Sequence, residues 1–258
     1  MRSLPVGSLA LLPILYLSLS SPANAGDFGA RPSWSRPLAY DWSGLHVGIT
    51  GGGIFDDHDA SFAFVNIDPA DQVGLPHSAS LTSNGGLVGG EIGYDVQTGA
   101  WVVGVEGDFS WTNFGDTATT IVPSDSGGGG GRPQLTFATN YQMDWISTVR
   151  GRIGIPLDHF LIYGTGGLAF ADVSMNQTVT VGTFGQLAGS TDKTKAGWTL
   201  GGGAEYALCD NITLKAEALW FDLGNVSLRA TNPQFDGALD VEQKVEGVIA
   251  RAGVGYKF

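Results

Sequence analysis

The chain has 258 residues, a formal net charge of −12, 40 glycines and a single cysteine. So acidic a balance excludes binding that rests on neutralising phosphates, which removes nucleic acid from the partners, and one cysteine excludes an internal disulfide framework. The glycines are scattered among β-branched and aromatic residues with no collagen period, a pattern of many strands and turns.

Met1-Arg2, the apolar run Leu9 to Leu19 and the small-residue site Ala23-Asn24-Ala25 have the three parts of a secretory signal peptide, so residues 1–25 are expected to be removed. Prolines interrupt that run, and no later stretch reaches the roughly 20 apolar residues of a spanning helix. If the protein enters a membrane, it crosses as strands. Residues 26–41, with two prolines and no periodicity, read as an extended periplasmic leader. No composition break divides 42–258, which is read as one barrel domain.

Within that domain a side-chain period of two marks eight strands. The first begins at Trp42 and sets Leu45, Val47 and Ile49 against His46, Gly48 and Thr50. The second, Leu87 to Val96, sets Val88, Ile92 and Tyr94 against Glu91, Gly93 and Asp95. The third sets Trp101, Val103, Val105, Phe109 and Trp111 against Gly104, Glu106, Asp108 and Ser110. In the fourth, Asn140 to Gly154, Tyr141, Met143, Trp145, Val149 and Ile153 oppose Asp144, Thr148, Arg150 and Arg152. The fifth, Phe160 to Ala171, has two faces that composition does not separate. The sixth, Gly197 to Leu208, sets Trp198, Leu200, Ala204 and Tyr206 against Thr199, Gly203 and Glu205, and the seventh, Ile212 to Phe221, sets Leu214, Ala216, Ala218 and Trp220 against Lys215 and Glu217. The eighth, Ile249 to Phe258, alternates Ala250, Ala252, Val254, Tyr256 and Phe258 with Arg251, Gly253, Gly255 and Lys257.

The connections at 97–100, 156–159 and 209–211 are short, whereas 54–85, 112–138, 173–195 and 223–243 read as long loops, the second carrying the run Gly127 to Gly131. Alternating short turns and long loops around strands of about ten residues fit an all-β fold: an eight-stranded antiparallel transmembrane β-barrel with short periplasmic turns and four long extracellular loops. Aromatic residues gather at the strand ends as two girdles, with Trp42, Tyr94, Trp101, Tyr206, Tyr256 and Phe258 on the turn side and Phe109, Trp111, Trp198 and Trp220 on the loop side. A soluble sandwich would leave Trp101, Trp145 and Trp220 as exposed patches.

On these registers Glu91, Asp95, Glu106, Asp108, Asp144, Glu205 and Glu217 point into the lumen with Arg150, Arg152, Lys215 and Arg251. An eight-stranded barrel is wide enough for side chains to fill it, and unpaired charge there is costly, so a plug of ion pairs is expected. The competing reading is a cation-preferring pore, because seven acids exceed four bases by three. Other features carry less. Asp56-Asp57-His58-Asp59 matches no EF-hand spacing and reads as a solvated loop. His46 reads as a structural donor in the lumen, Cys209 as incidental in a turn, and no serine is marked as activated. No catalytic residue, cofactor or metal is expected.

Several blocks together resemble a known group: Tyr40-Asp-Trp-Ser-Gly-Leu-His-Val-Gly48, Gly89-Gly-Glu-Ile-Gly-Tyr-Asp-Val-Gln97, Gly104-Val-Glu-Gly-Asp108, Tyr163-Gly-Thr-Gly-Gly-Leu-Ala169, Gly197-Trp-Thr-Leu-Gly-Gly-Gly-Ala-Glu-Tyr206 and Val254-Gly-Tyr-Lys-Phe258. The chain is similar to the small outer-membrane barrels related to the OmpA transmembrane domain, within the porin-family "outer-membrane immunogenic protein" branch of alpha-proteobacteria. That resemblance implies a Gram-negative outer-membrane location and a surface antigen without enzymatic activity. It implies that Tyr256 and Phe258 form an insertion signal read by the barrel-insertion machinery. It implies contact with outer-membrane lipid and lipopolysaccharide, and a structural and surface-interaction role. The alternative is a small porin, or a transport protein that binds a host or small-molecule ligand such as haem at its loops. Unlike in OmpA, no peptidoglycan-binding domain is expected after Phe258, so the resemblance does not imply a cell-wall anchor.

Overall fold

Side-chain alternation continues well past the expected strand ends. The structure, a computed structural model, describes residues 40–65, 78–124, 133–182, 185–232 and 235–258, with backbone alone at 57–60, 64–65, 79–82, 232 and 235–237. Residues 1–39, and with them the expected signal peptide and most of the leader, lie outside the described residues, as do 66–77 and the glycine run at 127–131. Eight strands follow one another: β1 (Gly44–Val65), β2 (Ser78–Thr98), β3 (Trp101–Val122), β4 (Leu135–Leu157), β5 (Phe160–Val181), β6 (Gly185–Ala207), β7 (Ile212–Asn232) and β8 (Phe235–Lys257). Each pairs antiparallel with the next, and β8 returns to β1, so the sheet closes on itself. The turns at one end are tight. Gly99 and Asp158 hold the left-handed conformation there, with φ of 61° and 59°, which a glycine or a short polar side chain tolerates best.

Most of the four stretches expected as long loops is therefore strand. With 21 to 23 residues each, rising about 3.4 Å per residue and tilted by roughly 40°, the strands reach roughly 55 Å along the barrel axis, about twice the hydrocarbon thickness of a bilayer. The exposed large apolar side chains show which half meets lipid. Ile49, Val88, Ile92, Val105, Trp111, Val149, Ile153, Leu168, Leu200 and Val254 all point outward within about one membrane-spanning length of the tight turns. Trp198 and Trp220 meet edge to face at 4.5 Å, and Phe109 lies 5.0 Å from Trp111 and 5.6 Å from Trp145, forming the outer girdle. Phe160 with Tyr206, and Tyr256 with Phe258, form pairs of the inner one.

Beyond the outer girdle the polarity of the wall reverses. Phe62, Phe114, Phe137, Tyr141, Met143, Met175, Phe221 and Leu239 are buried in one apolar interior cluster, while Thr117, Asp192, Arg229 and Lys244 face out. The barrel is thus a membrane barrel with a polar inside, continued by a water-facing barrel with an apolar inside. In the described parts of 54–85, 112–138, 173–195 and 223–243, loop-like composition arises from this reversal: the outward face there is polar because it meets water. Two strands change phase at the boundary. In β4 the pairing with β5 slips between Met143 and Trp145, which leaves Asp144 as the extra residue of a β-bulge, while on the β3 side Thr112 and Asn113 lie across from it, between Trp111 and Phe114. In β7 it slips between Asp222 and Asn225, where Gly224 has φ of 72°.

Candidate functional site

The lower lumen is built from directly opposed strand residues. Glu106 of β3 faces Arg150 of β4, Glu205 of β6 faces Lys215 of β7, and Glu217 of β7 faces Arg251 of β8. Glycines beside them make room: a Cβ on Gly203 would stand 2.6 Å from the Tyr163 hydroxyl, and one on Gly104 would collide with the Asp95 carboxylate. Arg150 spans the lumen. Its guanidinium donates to Glu106, to Asp108 at 3.1 Å and to Glu217 at 2.8 Å, and its Nε donates to Thr148 at 2.9 Å. Arg251 bonds Glu217 at 2.7 Å and both Asp108 oxygens at 3.1 Å. Arg152 grips both oxygens of Asp95, its Nε at 2.8 Å, and reaches Glu205 at 2.5 Å. Lys215 donates to Glu91 at 2.9 Å and Glu106 at 2.6 Å. All ten side chains are buried, and each carboxylate has at least one cation partner. Tyr163 completes the layer, donating to Glu217 at 3.0 Å with the Arg152 guanidinium 5.1 Å from its ring centre.

Below this layer the periplasmic mouth is filled from outside the strands. Tyr40 and Trp42 are buried with Val102, Leu161, Tyr163 and Ala207, their rings edge to face at 4.7 Å. The Trp42 amide donates to the Gln97 side chain at 2.9 Å, its indole to the Asp158 carbonyl at 3.4 Å, and the Tyr40 hydroxyl to the Asp210 carbonyl at 3.2 Å. Burial, with the Glu205 and Asp210 carboxylates near, pushes the Tyr40 phenol from its ordinary 10 up to about 12. Above the charged layer lies the mainly apolar interior of the projecting half, with Thr139 and Gln177 buried and bonded to each other in it, so a path along the axis meets an aromatic stopper, an ion-pair layer and a mainly apolar core in turn.

Ten of the eleven residues expected in the lumen charge network sit together there, and Asp144 does not. It is the bulge residue of β4 and is exposed, because the extra residue turns its side chain out and carries Tyr141 and Met143 inward, away from the lipid face expected for them. The lumen count is therefore six acids against four bases. Of the ten expected girdle residues, Tyr94, Trp101, Phe109, Trp111, Trp198, Tyr206, Tyr256 and Phe258 are exposed and Trp220 is half-buried against Trp198. Trp42 is 2% exposed in the mouth and is not a girdle residue, since the chain turns under the barrel before β1 begins. His46 faces Asp95 at 3.4 Å and Glu106 at 3.6 Å. Asp56 is buried within β1, while the side chains of Asp57, His58 and Asp59 lie outside the described residues. Among the described residues no group of three His, Cys, Asp or Glu stands ready for a metal. Tyr163 and Tyr40 were not legible as site residues: the first lies on a strand whose faces composition does not separate, the second in a stretch without periodicity; Thr148 was read on the lumen face of the fourth strand but not as a partner of its charges.

Comparison with known proteins follows the same outline. The family model described as "Outer membrane protein beta-barrel domain" matches residues 10–258. The 31 kDa outer-membrane immunogenic protein of Brucella melitensis is 34% identical over 233 residues, covering 89% of each chain. A 22 kDa outer membrane protein of Rhizobium leguminosarum is 30% identical over 66% of each chain. Among solved structures, the outer membrane protein OprG of Pseudomonas aeruginosa aligns at 14% identity over 85% of this chain and 98% of that one, with a TM-score of 0.41.

Proposed function

From the premise that the chain belongs to the outer-membrane protein β-barrel domain family and is an outer-membrane protein, we propose that it is a non-conducting wall element, with a structural and surface-interaction role. The observation that carries this reading is the stack of seals in the lumen. A hydrated ion would have to break the Arg150 and Arg251 bridges to Glu217 and Asp108, then cross the close-packed cluster around Phe114, Phe137 and Phe221, where buried polar groups such as Thr139 and Gln177 are few and bond to one another. The strands instead extend outward, and the wall that projects beyond the bilayer supports a role at the outer tips. In this reading lipid and lipopolysaccharide cover the apolar belt, Tyr256 and Phe258 engage the insertion machinery, and a host or small-molecule ligand would meet the tips.

The competing pore reading draws on the excess of two lumen acids. Planar-bilayer recording of refolded residues 26–258, checked as a heat-modifiable band, separates the two. No steady steps are expected. Regular, salt-dependent steps from the folded barrel would overturn the sealed-lumen reading and put cation passage in its place.

A further inference from the structure

The four residues before β1 touch parts of the barrel that are far apart in sequence. The Trp42 amide bonds Gln97 at the end of β2, and the Ser43 hydroxyl accepts from the Gln97 amide at 3.0 Å. The Trp42 indole bonds the β4–β5 turn at Asp158, and the Tyr40 hydroxyl bonds the β6–β7 turn at Asp210. At the other side of the closing seam, the Lys257 ammonium lies 4.3 Å from the centre of the Tyr40 ring and donates to the Asp41 carbonyl. Lys257 belongs to β8 and pairs with His46 of β1, while the Phe258 amide donates to the Leu45 carbonyl at 2.9 Å. One tetrapeptide therefore spans the β1–β8 seam and ties it to all three tight turns.

We propose that Tyr40-Asp41-Trp42-Ser43 is a clasp that locks the β1–β8 seam once the barrel has closed. Its seat does not exist earlier. The Lys257 contact requires β8 to have paired with β1, and the apolar pocket for Trp42 combines Val102 of β3, Leu161 and Tyr163 of β5 and Ala207 of β6, which share one rim after the ring is complete. The clasp is conditional on closure, and once seated it opposes reopening of the seam from its periplasmic end. This holds whether or not the lumen conducts.

The test is hydrogen exchange on the mature full chain in detergent, read by mass spectrometry. In Y40A/W42A, amides of 46–50 and 253–257 are expected to exchange at least about tenfold faster than in the natural chain, while those of 147–153 at the β4–β5 pair keep their rate. Lys257→Gln, which leaves the aromatic packing in place, is expected to speed the same seam amides by less. Unchanged seam rates in a folded Y40A/W42A barrel overturn the clasp, and so does acceleration spread evenly over all eight strand pairs. If the double variant does not refold, Trp42→Phe and Lys257→Gln decide: no seam-confined acceleration in either overturns it.

Discussion

At the scale of single residues, Arg150 carries the heaviest load. Its guanidinium meets three carboxylates on two other strands and is fully buried, so truncation leaves Glu106, Asp108 and Glu217 short of a partner in a site without bulk water. Breaking a buried ion pair from one side costs about 3–5 kcal/mol, and because Arg251, Lys215 and Arg152 also reach these acids, Arg150→Met is expected near the low end of that range. Urea titration of the refolded barrel checks it. The companion variant, Arg150→Met with Glu106→Gln and Glu217→Gln, removes the stranded charge and should regain much of the loss. If it falls further instead, the ion pairs contribute net stability and the orphaned acid is not the cause.

Secondary-structure elements were read well where they face lipid and poorly where they do not. Trp101 to Trp111 shows its period of two because apolar and charged groups alternate strictly, and the eight-strand count, the tight turns and ten lumen charges followed from such segments. The outer halves were unreadable for a physical reason: β4 changes phase at a bulge, so Tyr141, Met143 and Trp145 continue one apolar alternation in sequence while they occupy opposite faces. Nor does any local signal show that Trp42 is the last residue to turn inward rather than the first to meet lipid. The bulge can be tested directly. Deleting Asp144 forces one half of β4 to present its wrong face, and the expected result is loss of the heat-modifiable folded band. Asp144→Asn, which keeps the extra residue and removes an exposed charge, should shift stability by no more than about 0.5 kcal/mol. A deletion that folds normally would mean the bulge is dispensable.

For the molecule as a whole, the wall is not equally secure all round. β5 pairs with β4 and with β6 in long ladders, whereas the β6–β7 ladder lapses between Ala188 paired with Thr231 and Trp198 paired with Asp222. Backbone groups of 189–197 that point toward β7 lack ladder bonds, although the Lys195 ammonium crosses to the Asn225 carbonyl. These amides are expected to exchange at least about tenfold faster than those of 173–181, which stand in the unbroken ladders on β5. Equal protection would mean that the two strands close the gap in solution.

The boundary at Asp144 and Asn225 also fixes how deep the protein can sit. Both side chains are exposed at the level where the outward face turns from apolar to polar, Asp144 directly next to Trp145 and Asn225 in the turn of chain after Trp220. A bilayer thicker than the apolar belt could be matched by letting the barrel sink, but that would drag a carboxylate and an amide into hydrocarbon. The lipid has to yield instead, thinning around the barrel. The bulge in β4 and the register slip in β7 thus act as a waterline cut into the wall, holding the height of the outer tips constant while the surrounding leaflet changes.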